Sequence, residues 1–263
     1  MIGQVTLAIV SGGFIGLTLG ATGGGGALLA IPLLVYVLGV TARDATAMSL
    51  MVVGGSALLG VWDYGRAGEV RVKAALVFSG TGAVGAWGGA YAHQLVREDL
   101  LLVLFGMLML GAAAKMLRWK PPVTSPDAEE SCAYRFPRTC WVKVSGIGLL
   151  VGILTGFFGV GGGFVIVPAL VLVLGFPMRL AVGTSLLIIV LISIGGLAGH
   201  LQFGHFDGRL AALVLLGSAG GILLGTRLGR AGSPEKMTRA FALVTIGIAV
   251  PLILHNVIRL GLH

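Results

Sequence analysis

Apolar stretches of helical length, separated by short polar loops, run through the whole chain. There are five such segments in each half of the sequence. They cover residues 4–19, 26–40, 45–62, 72–95 and 99–118, and then 142–158, 162–175, 180–200, 209–228 and 238–260. A helix needs about 20 apolar residues to cross a bilayer core. The pattern therefore predicts an all-α fold and a polytopic membrane protein.

The second segment of each half is short and follows a cluster of glycines. About 14 helical residues reach only about 21 Å, less than the ~30 Å hydrocarbon core. Glycine also weakens a helix interior by about 1 kcal/mol relative to alanine. We therefore predict that the first two segments of each half form a broken or re-entrant hairpin, bent at Gly23–Gly26 and at Gly159–Gly163. Two full spans are the alternative.

The two halves of the chain resemble each other. A shift of 136 residues pairs Pro32 with Pro168, Arg43 with Arg179, Ser49 with Ser185, and Phe105 with Phe241. Internal repeats of this kind are typical of transporter folds, whose binding site lies where the repeats meet. We predict two membrane repeats, residues 1–118 and 142–263, joined by a linker over residues 119–141.

The positions of Lys and Arg predict the orientation of the repeats. If each hairpin returns the chain to its starting side, the halves are inverted and 14 of the 18 basic residues share one side. If each hairpin counts as one span, the halves are parallel and the split is 11 to 7. The positive-inside rule favours the inverted arrangement, with both termini outside and the central loop in the cytoplasm.

The composition agrees with a bilayer as the main partner. Hydrophobic residues make up 56% of the chain and charged residues 11%, against roughly 25% charged in soluble domains. The net charge of +8 lies in the loops, so we expect no nucleic-acid partner. Small residues let membrane helices approach closely. The glycine ladders therefore predict close packing, against another helix or in a homodimer: Gly12/Gly16/Gly20, Gly85/Gly89 and Gly217/Gly221/Gly225/Gly229.

Ionisable residues are nearly absent from the segment interiors. His93, Lys115 and His200 lie near segment ends, where their side chains can reach the interface. Without a buried nucleophile, base or carboxylate relay, we expect neither an enzyme nor a carboxylate-driven pump, and no cofactor. Cys132 and Cys140 match no metal-binding spacing, so we interpret them as two unpaired thiols.

A broken helix offers unpaired backbone N–H groups and a partial positive charge at the start of its second piece. Such a terminus binds anions without a basic side chain. We predict a site for a small anion near the midplane, built from both bends and nearby hydroxyls. Its residues are Thr22, Gly23, Gly24, Gly25, Gly26 and Ser49, with Gly159, Gly161, Gly162, Gly163, Thr184 and Ser185. The alternative for each hydroxyl is a bond to a carbonyl in the preceding helical turn.

Polar residues at the ends of the third segments are candidate gates. Asp63, Tyr64 and Arg66 fall on the predicted cytoplasmic side, and His200, Gln202, His205 and Asp207 on the outer side. Their charges could rearrange between transport states. Solvated loop residues and helix caps are the alternative interpretation.

At these residues the chain resembles the TauE/SafE family of membrane permeases, the sulfite exporters. The similarity lies in the doubled glycine cluster followed by a proline, in the run Ala181-Val182-Gly183-Thr184-Ser185, and in the turn Gly204-His205-Phe206-Asp207. The resemblance implies transport of sulfite, sulfonates or related anions across the bacterial inner membrane. The first half departs from the pattern, with Gly24 at the position of Val160 and Arg71 at that of Asp207.

These features together predict a secondary transporter that exports small sulfur-containing oxyanions by alternating access. A cytoplasm-negative potential favours anion exit by about 2.3 kcal/mol per charge per 100 mV, so export needs no coupling ion. An anion channel, or a permease for another small anion, is the alternative. Single-channel currents would distinguish a channel from a transporter.

Overall fold

The computed structural model describes residues 2–93, 98–118, 138–158, 163–200 and 207–231, and most residues between 239 and 254. Throughout these ranges the regular structure is helical and no strand occurs, as the apolar pattern predicts. The helices are α1 (Ile2–Thr22), α2 (Gly25–Pro32), α3 (Ala42–Arg66), α4 (Val72–His93), α5 (Glu98–Arg118), α6 (Arg138–Phe158), α7 (Gly163–Pro168), α8 (Met178–His200) and α9 (Gly208–Ala231).

Four of these helices are long and apolar enough to cross a membrane. Their apolar spans are Gly3–Thr22, Ala47–Arg66, Met178–Gly195 and Gly208–Ala231. Shorter apolar helices cover Gly25–Val37, Gly106–Lys115, Cys140–Thr155 and Ala242–Pro251. The predicted segments thus coincide with helices, although α6 begins at Arg138 and so includes the end of the predicted linker. The rest of that linker lies outside the described residues.

The short second helix of each half widens into a π-helical turn directly after its proline. α2 continues as a π turn over Leu33–Val37, and α7 continues as one over Ala169–Val173, 136 residues later. Proline lacks an N–H and its ring crowds the carbonyl four residues earlier. Pro32 and Pro168 thus stand at matching places, each directly before a π turn.

Both π turns end in the same way. The N–H of Val40 donates to the carbonyl of Leu34 at 3.0 Å, and the N–H of Phe176 donates to that of Leu170 at 2.9 Å. Gly39 and Gly175, which directly precede Val40 and Phe176, take positive φ angles of 69° and 70°. Glycine adopts such angles at a helix end without a steric clash. The second helices of the two halves therefore end with the same backbone geometry.

Polar caps start the helices that follow loops. The hydroxyl of Thr41 accepts the N–H of Asp44 at 3.3 Å at the start of α3. The carboxylate of Asp207 accepts the N–H groups of Arg209 and Leu210, at 2.9 and 3.2 Å, at the start of α9. Such caps satisfy N–H groups that the first helical turn leaves unpaired.

Glycine ladders pair α1 with α9, and α4 with α6, in parallel. A methyl group added at Gly12 would overlap the carbonyl of Val214, and one at Gly16 would overlap that of Ser218. In the same way, a methyl group at Gly89 would overlap the carbonyl of Ile153 on α6. These faces contact helices of the same chain. A homodimer through them stays a prediction.

The antiparallel pair of α3 and α8 lies between these two parallel pairs. A methyl group at Gly54 would come within 2.5 Å of Ser193 Cβ, and one at Gly60 within 2.8 Å of Leu186 Cδ1. The centre of the bundle is apolar, with Val52, Leu186 and Ile188 fully buried. α3 also contacts α9, and α8 contacts α4, so the central pair joins the two halves.

The cysteine interpretation needs correction. Cys140 is buried in the first turn of α6 and is disulfide-bonded. Because Cys140 is paired and the sequence contains two cysteines in all, the interpretation of two unpaired thiols is wrong. Cys132 lies outside the described residues.

Candidate functional site

The first glycine cluster forms a tight bend between α1 and α2. Gly23 takes a positive φ of 74°, which side-chain-bearing residues rarely adopt, and its N–H donates to the carbonyl of Leu19 at 2.7 Å. Thr22 spans the bend with its hydroxyl, which donates to the carbonyl of Thr18 at 2.6 Å and accepts the N–H of Gly25 at 3.0 Å. Thr22 thus caps the second piece of the broken helix.

The bend keeps two backbone N–H groups available. The N–H of Ala27 donates to the carbonyl of Gly24 at 3.2 Å, and that of Gly25 is taken by Thr22. By contrast, the N–H groups of Gly24 and Gly26 donate to no acceptor in the described part of the chain. Both glycines are buried. An anion at this helix start would therefore meet two unpaired donors rather than four.

Close packing accounts for the glycines at the start of α2. A methyl group at Gly26 would overlap the carbonyl of Ile15 and come within 2.5 Å of Leu19 Cβ. One at Gly25 would come within 2.8 Å of Thr22 Oγ1. α2 therefore folds back against α1 at van der Waals distance, which larger residues at these positions would prevent.

Ser185 of α8 reaches this bend from the other half of the chain. Its hydroxyl oxygen lies 2.8 Å from the carbonyl oxygen of Gly23 and 2.8 Å from that of Val182, so one proton serves both acceptors. A methyl group at Gly23 would come within 2.6 Å of that hydroxyl oxygen. The structure thus brings together two of the predicted site residues, Gly23 and Ser185.

The structure gives Thr184 a different partner. Its hydroxyl accepts the N–H of Arg71 at 3.1 Å, in the turn between α3 and α4. Beside it, a methyl group at Gly183 would overlap the carbonyl of Glu69. Thr184 therefore anchors the start of α8 to this turn and makes no hydrogen bond to the bend.

The first turns of α2 and α7 meet. A methyl group at Gly163 would lie 3.0 Å from Ala27 Cβ and 3.1 Å from Ile189 Cδ1. Ser49, the counterpart of Ser185 in the other half, is buried on α3. The remaining residues of the second predicted bend, Gly159, Gly161 and Gly162, lie outside the described residues.

A charged cluster lies beside the first bend, where α3 ends and α8 begins. Arg230 Nη1 lies 3.2 Å from Asp63 Oδ1, and Arg230 Nε lies 3.4 Å from Glu69 Oε2. Arg230 also donates through Nη2 to the backbone carbonyl of Asp63. Its own carbonyl accepts from Arg179 Nη2 at 2.8 Å. We name these four residues, together with Tyr64, the Arg230 cluster.

Tyr64 connects the Arg230 cluster to the bend. The guanidinium of Arg230 lies 4.8 Å from the centre of the Tyr64 ring, within the range of a cation–π contact. The Tyr64 hydroxyl, fully buried, donates to the carbonyl of Gly20 at 3.2 Å. Two successive contacts therefore join Arg230 to the end of α1.

Of the predicted gating residues, Asp63 and Tyr64 are shown in this cluster. Asp207 caps α9 instead, and His205 lies outside the described residues. Arg66 is exposed, and its guanidinium stacks 4.8 Å from the centre of the Trp62 ring instead. The His200 side chain and Gln202 lie outside the described residues. The sequence interpretation missed Glu69, Arg179 and Arg230. The repeat offers a partial signal for Arg179 through its match with Arg43, but no pattern pairs Arg230 with Asp63.

The donors at the bend are of the kind that hold small anions. Among the residues that the structure describes, no group of three or more His, Cys, Asp or Glu could hold a metal ion. The bend provides the start of a helix and the backbone N–H groups of Gly24 and Gly26, whereas the hydroxyls of Thr22 and Ser185 already donate to carbonyls. Such donors bind negative charge without covalent chemistry.

Comparison with known proteins identifies the chain's relatives. Residues 8–252 match the family model described as sulfite exporter TauE/SafE. A probable membrane transporter protein of Xylella fastidiosa (strain 9a5c) is 35% identical over 94% of both chains. The probable membrane transporter protein YdhB of Bacillus subtilis is 30% identical over 81% of this chain and 85% of its own. No solved structure matches the chain.

Proposed function

The chain belongs to the sulfite exporter TauE/SafE family, and we propose that it exports sulfite, organosulfonates or similar sulfur-containing oxyanions. It is a multi-pass membrane protein, and its family and relatives are transporters rather than enzymes. The observation that carries the proposal is the buried bend at Gly23–Gly26, where a helix starts inside the bundle and two N–H groups have no acceptor among the described residues.

The bend suits an anion for electrostatic reasons. The start of α2 carries about half a positive charge from the helix dipole, and burial strengthens that field. The N–H groups of Gly24 and Gly26 are the donors that an oxyanion would use. Ser185 orients the opposite side of the bend through the carbonyl of Gly23.

Because the two halves are repeats, we include the second half of the chain in the proposed anion site. Ala27 and Gly163, which occupy equivalent positions, lie side by side where α2 and α7 begin. This supports an anion position between the two helix starts, near the midplane. Ser49 would contact the second bend as Ser185 contacts the first. Thr184 then supports the site from the turn before α4 rather than by direct contact.

Two inverted repeats with re-entrant hairpins are part of the proposal. The matched π turns and matched glycine ladders support a common fold for the halves. The concentration of Lys and Arg in one set of loops supports their opposite orientation, with the central loop in the cytoplasm and both termini outside. Alternating access would then exchange the roles of the halves.

A binding screen tests the proposal. Purified protein is titrated with sulfite, thiosulfate, sulfoacetate and sulfate, and with chloride and acetate for comparison, and the heat of binding is recorded. We expect saturable binding of at least one sulfur anion, weakened in Ser185→Ala. The matched control is Ser56→Ala, because Ser56 is equally buried but its hydroxyl donates within its own helix, to the carbonyls of Val52 and Val53. Binding of chloride or acetate alone would contradict the sulfur specificity, and unchanged binding in Ser185→Ala would contradict the site.

A further inference from the structure

We propose that Arg230 is the gate residue at this end of the bundle: its guanidinium latches α1 and α9 onto α3 and α8 beside the first bend. The inference rests on the proposed transport function and adds to it the residue that holds one side closed. The end concerned is the one where α3 ends and α8 begins. The Lys and Arg distribution predicts that it faces the cytoplasm.

The helix packing defines what the latch connects. α1 and α9 are in backbone contact along their glycine ladders, and so form one tightly packed unit. α3 and α8 form a second unit with apolar side chains between them. Arg230 stands at the end of α9, whereas Asp63 belongs to α3 and Glu69 to the turn that follows it. The ion pairs therefore run between the two units.

The same boundary carries the contacts at the bend. The hydroxyl of Ser185 on α8 bonds to Gly23, and that of Tyr64 on α3 bonds to Gly20 at the end of α1. Arg230 covers the Tyr64 ring from the solvent side, with 29% of its own side chain exposed. Opening this boundary would uncover the bend, and the Arg230 cluster is the outermost contact that must separate first.

The Arg230 cluster is paired only in part, which fits a contact that opens. Asp63 Oδ2 and Arg179 Nε are buried and have no hydrogen-bond partner among the described residues, and Glu69 Oε2 and Arg230 Nε face each other as an ion pair without hydrogen-bond geometry. A polar network that only stabilised the fold would be expected to satisfy these atoms. Two carboxylates and two guanidinium groups balance in charge while the Arg230 cluster is closed.

The sequence repeat shows that this latch belongs to one side only. At the positions 136 residues away, Gly199 stands for Asp63, His205 for Glu69, and Gln94 for Arg230. None of these substitutes can form the same ion pairs. An element required by the repeat fold itself would occur at both ends, whereas a latch specific to one side need not.

Hydrogen–deuterium exchange tests the latch without using transport as the readout. Amide exchange is followed over residues 18–26 in purified full-length protein for the wild type, Arg230→Met and Glu69→Gln. The matched control is Arg227→Met, which removes the same charge and volume from an exposed position one turn earlier on α9. We expect exchange over 18–26 to speed up roughly tenfold in Arg230→Met, by less in Glu69→Gln, and to stay unchanged in the control.

The outcomes separate the latch from the transported substrate. Exchange over 18–26 that is equal in Arg230→Met and Arg227→Met would overturn the latch, whatever anion the protein transports. Faster exchange that extends equally to residues 78–89 of α4 would also overturn it, because it would indicate general destabilisation. Faster exchange confined to the bend would support the latch even if the protein bound none of the four sulfur anions. The lack of anion binding would then count against the proposed function alone.

Discussion

The hydroxyl oxygen of Ser185 lies 2.8 Å from the carbonyl oxygen of Gly23, a contact between residues 162 apart in the sequence. It ties α8 of the second half to the bend of the first half. Both residues are buried, so the bond is shielded from water. The position of the bend within the bundle thus depends on a residue of the other repeat.

Removing this hydroxyl gives the first prediction. Ser185→Ala leaves the Gly23 carbonyl buried without its partner, and we expect the free energy of unfolding to fall by about 1–3 kcal/mol. Anion flux should fall with it, because the bend loses its support. Denaturation in detergent and flux in proteoliposomes measure the two effects. A loss no greater than that in Ser56→Ala, whose hydroxyl bonds within its own helix at 2.6 Å, would contradict this prediction.

Alanine substitutions at Gly23 and Gly39 distinguish two causes of destabilisation, the strain of a positive φ angle and a steric clash with α8. Gly23→Ala would adopt an unfavourable positive φ and also meet Val182 Cα at 2.8 Å. Gly39→Ala has a similar φ of 69° but nothing within 4 Å of its added methyl group. We expect about 1–2 kcal/mol of destabilisation at Gly39 and clearly more at Gly23. Equal melting temperatures for the two variants would contradict the close approach of α8 to the bend.

The glycine ladder between α1 and α9 gives a third prediction. Gly16→Ala would place its methyl group 2.7 Å from the carbonyl carbon of Ser218 and 2.8 Å from the N of Ile222, so α9 must move away. Gly220→Ala on α9 meets nothing within 4 Å, and alanine favours a helix over glycine by about 1 kcal/mol. Thermal unfolding should show a lower midpoint for Gly16→Ala and an unchanged or higher one for Gly220→Ala. The reverse order would contradict the parallel pairing of these helices.

Orientation in the membrane is tested in the central loop. With Cys132→Ser and Cys140→Ser as background, Asp127→Cys should react with an impermeant thiol reagent from the cytoplasmic side alone. The disulfide at Cys140 makes this measurement informative, because disulfides are rare in the reducing cytoplasm. Labelling from outside would reverse the topology that the basic residues predict.

Much of the fold could be predicted from the sequence because apolar length and glycine breaks are local signals. The first bend lies at Gly23 as predicted, and the matched prolines mark the π turns. The parallel pairing of α1 with α9 could not be read from the ladders, since a glycine face does not say which partner fills it. Only the structure shows that partner.

The contacts of the site were harder to predict than its residues. Ser185 and Gly23 were both assigned to the anion, and nothing in the sequence indicates that they bond to each other. Arg230 and Asp63 lie 167 residues apart, and ion pairs over such a separation leave no periodic trace. Thr184 was also assigned to the anion, and the structure shows its hydroxyl accepting the backbone N–H of Arg71, a contact that the sequence did not indicate.

Sulfur-anion efflux from proteoliposomes under an inside-negative potential is the decisive test of the glycine bend as an anion site. Efflux of sulfite, thiosulfate, sulfoacetate and sulfate is recorded for the wild type, for Gly25→Val at the bend and for Gly220→Val on α9. We expect efflux of at least one sulfur anion that saturates with concentration, accelerates with the potential and disappears in Gly25→Val, while Gly220→Val retains it. Efflux that persists in an inserted Gly25→Val protein, or conductance in single-channel steps without saturation, would contradict a transporter whose anion site is the glycine bend.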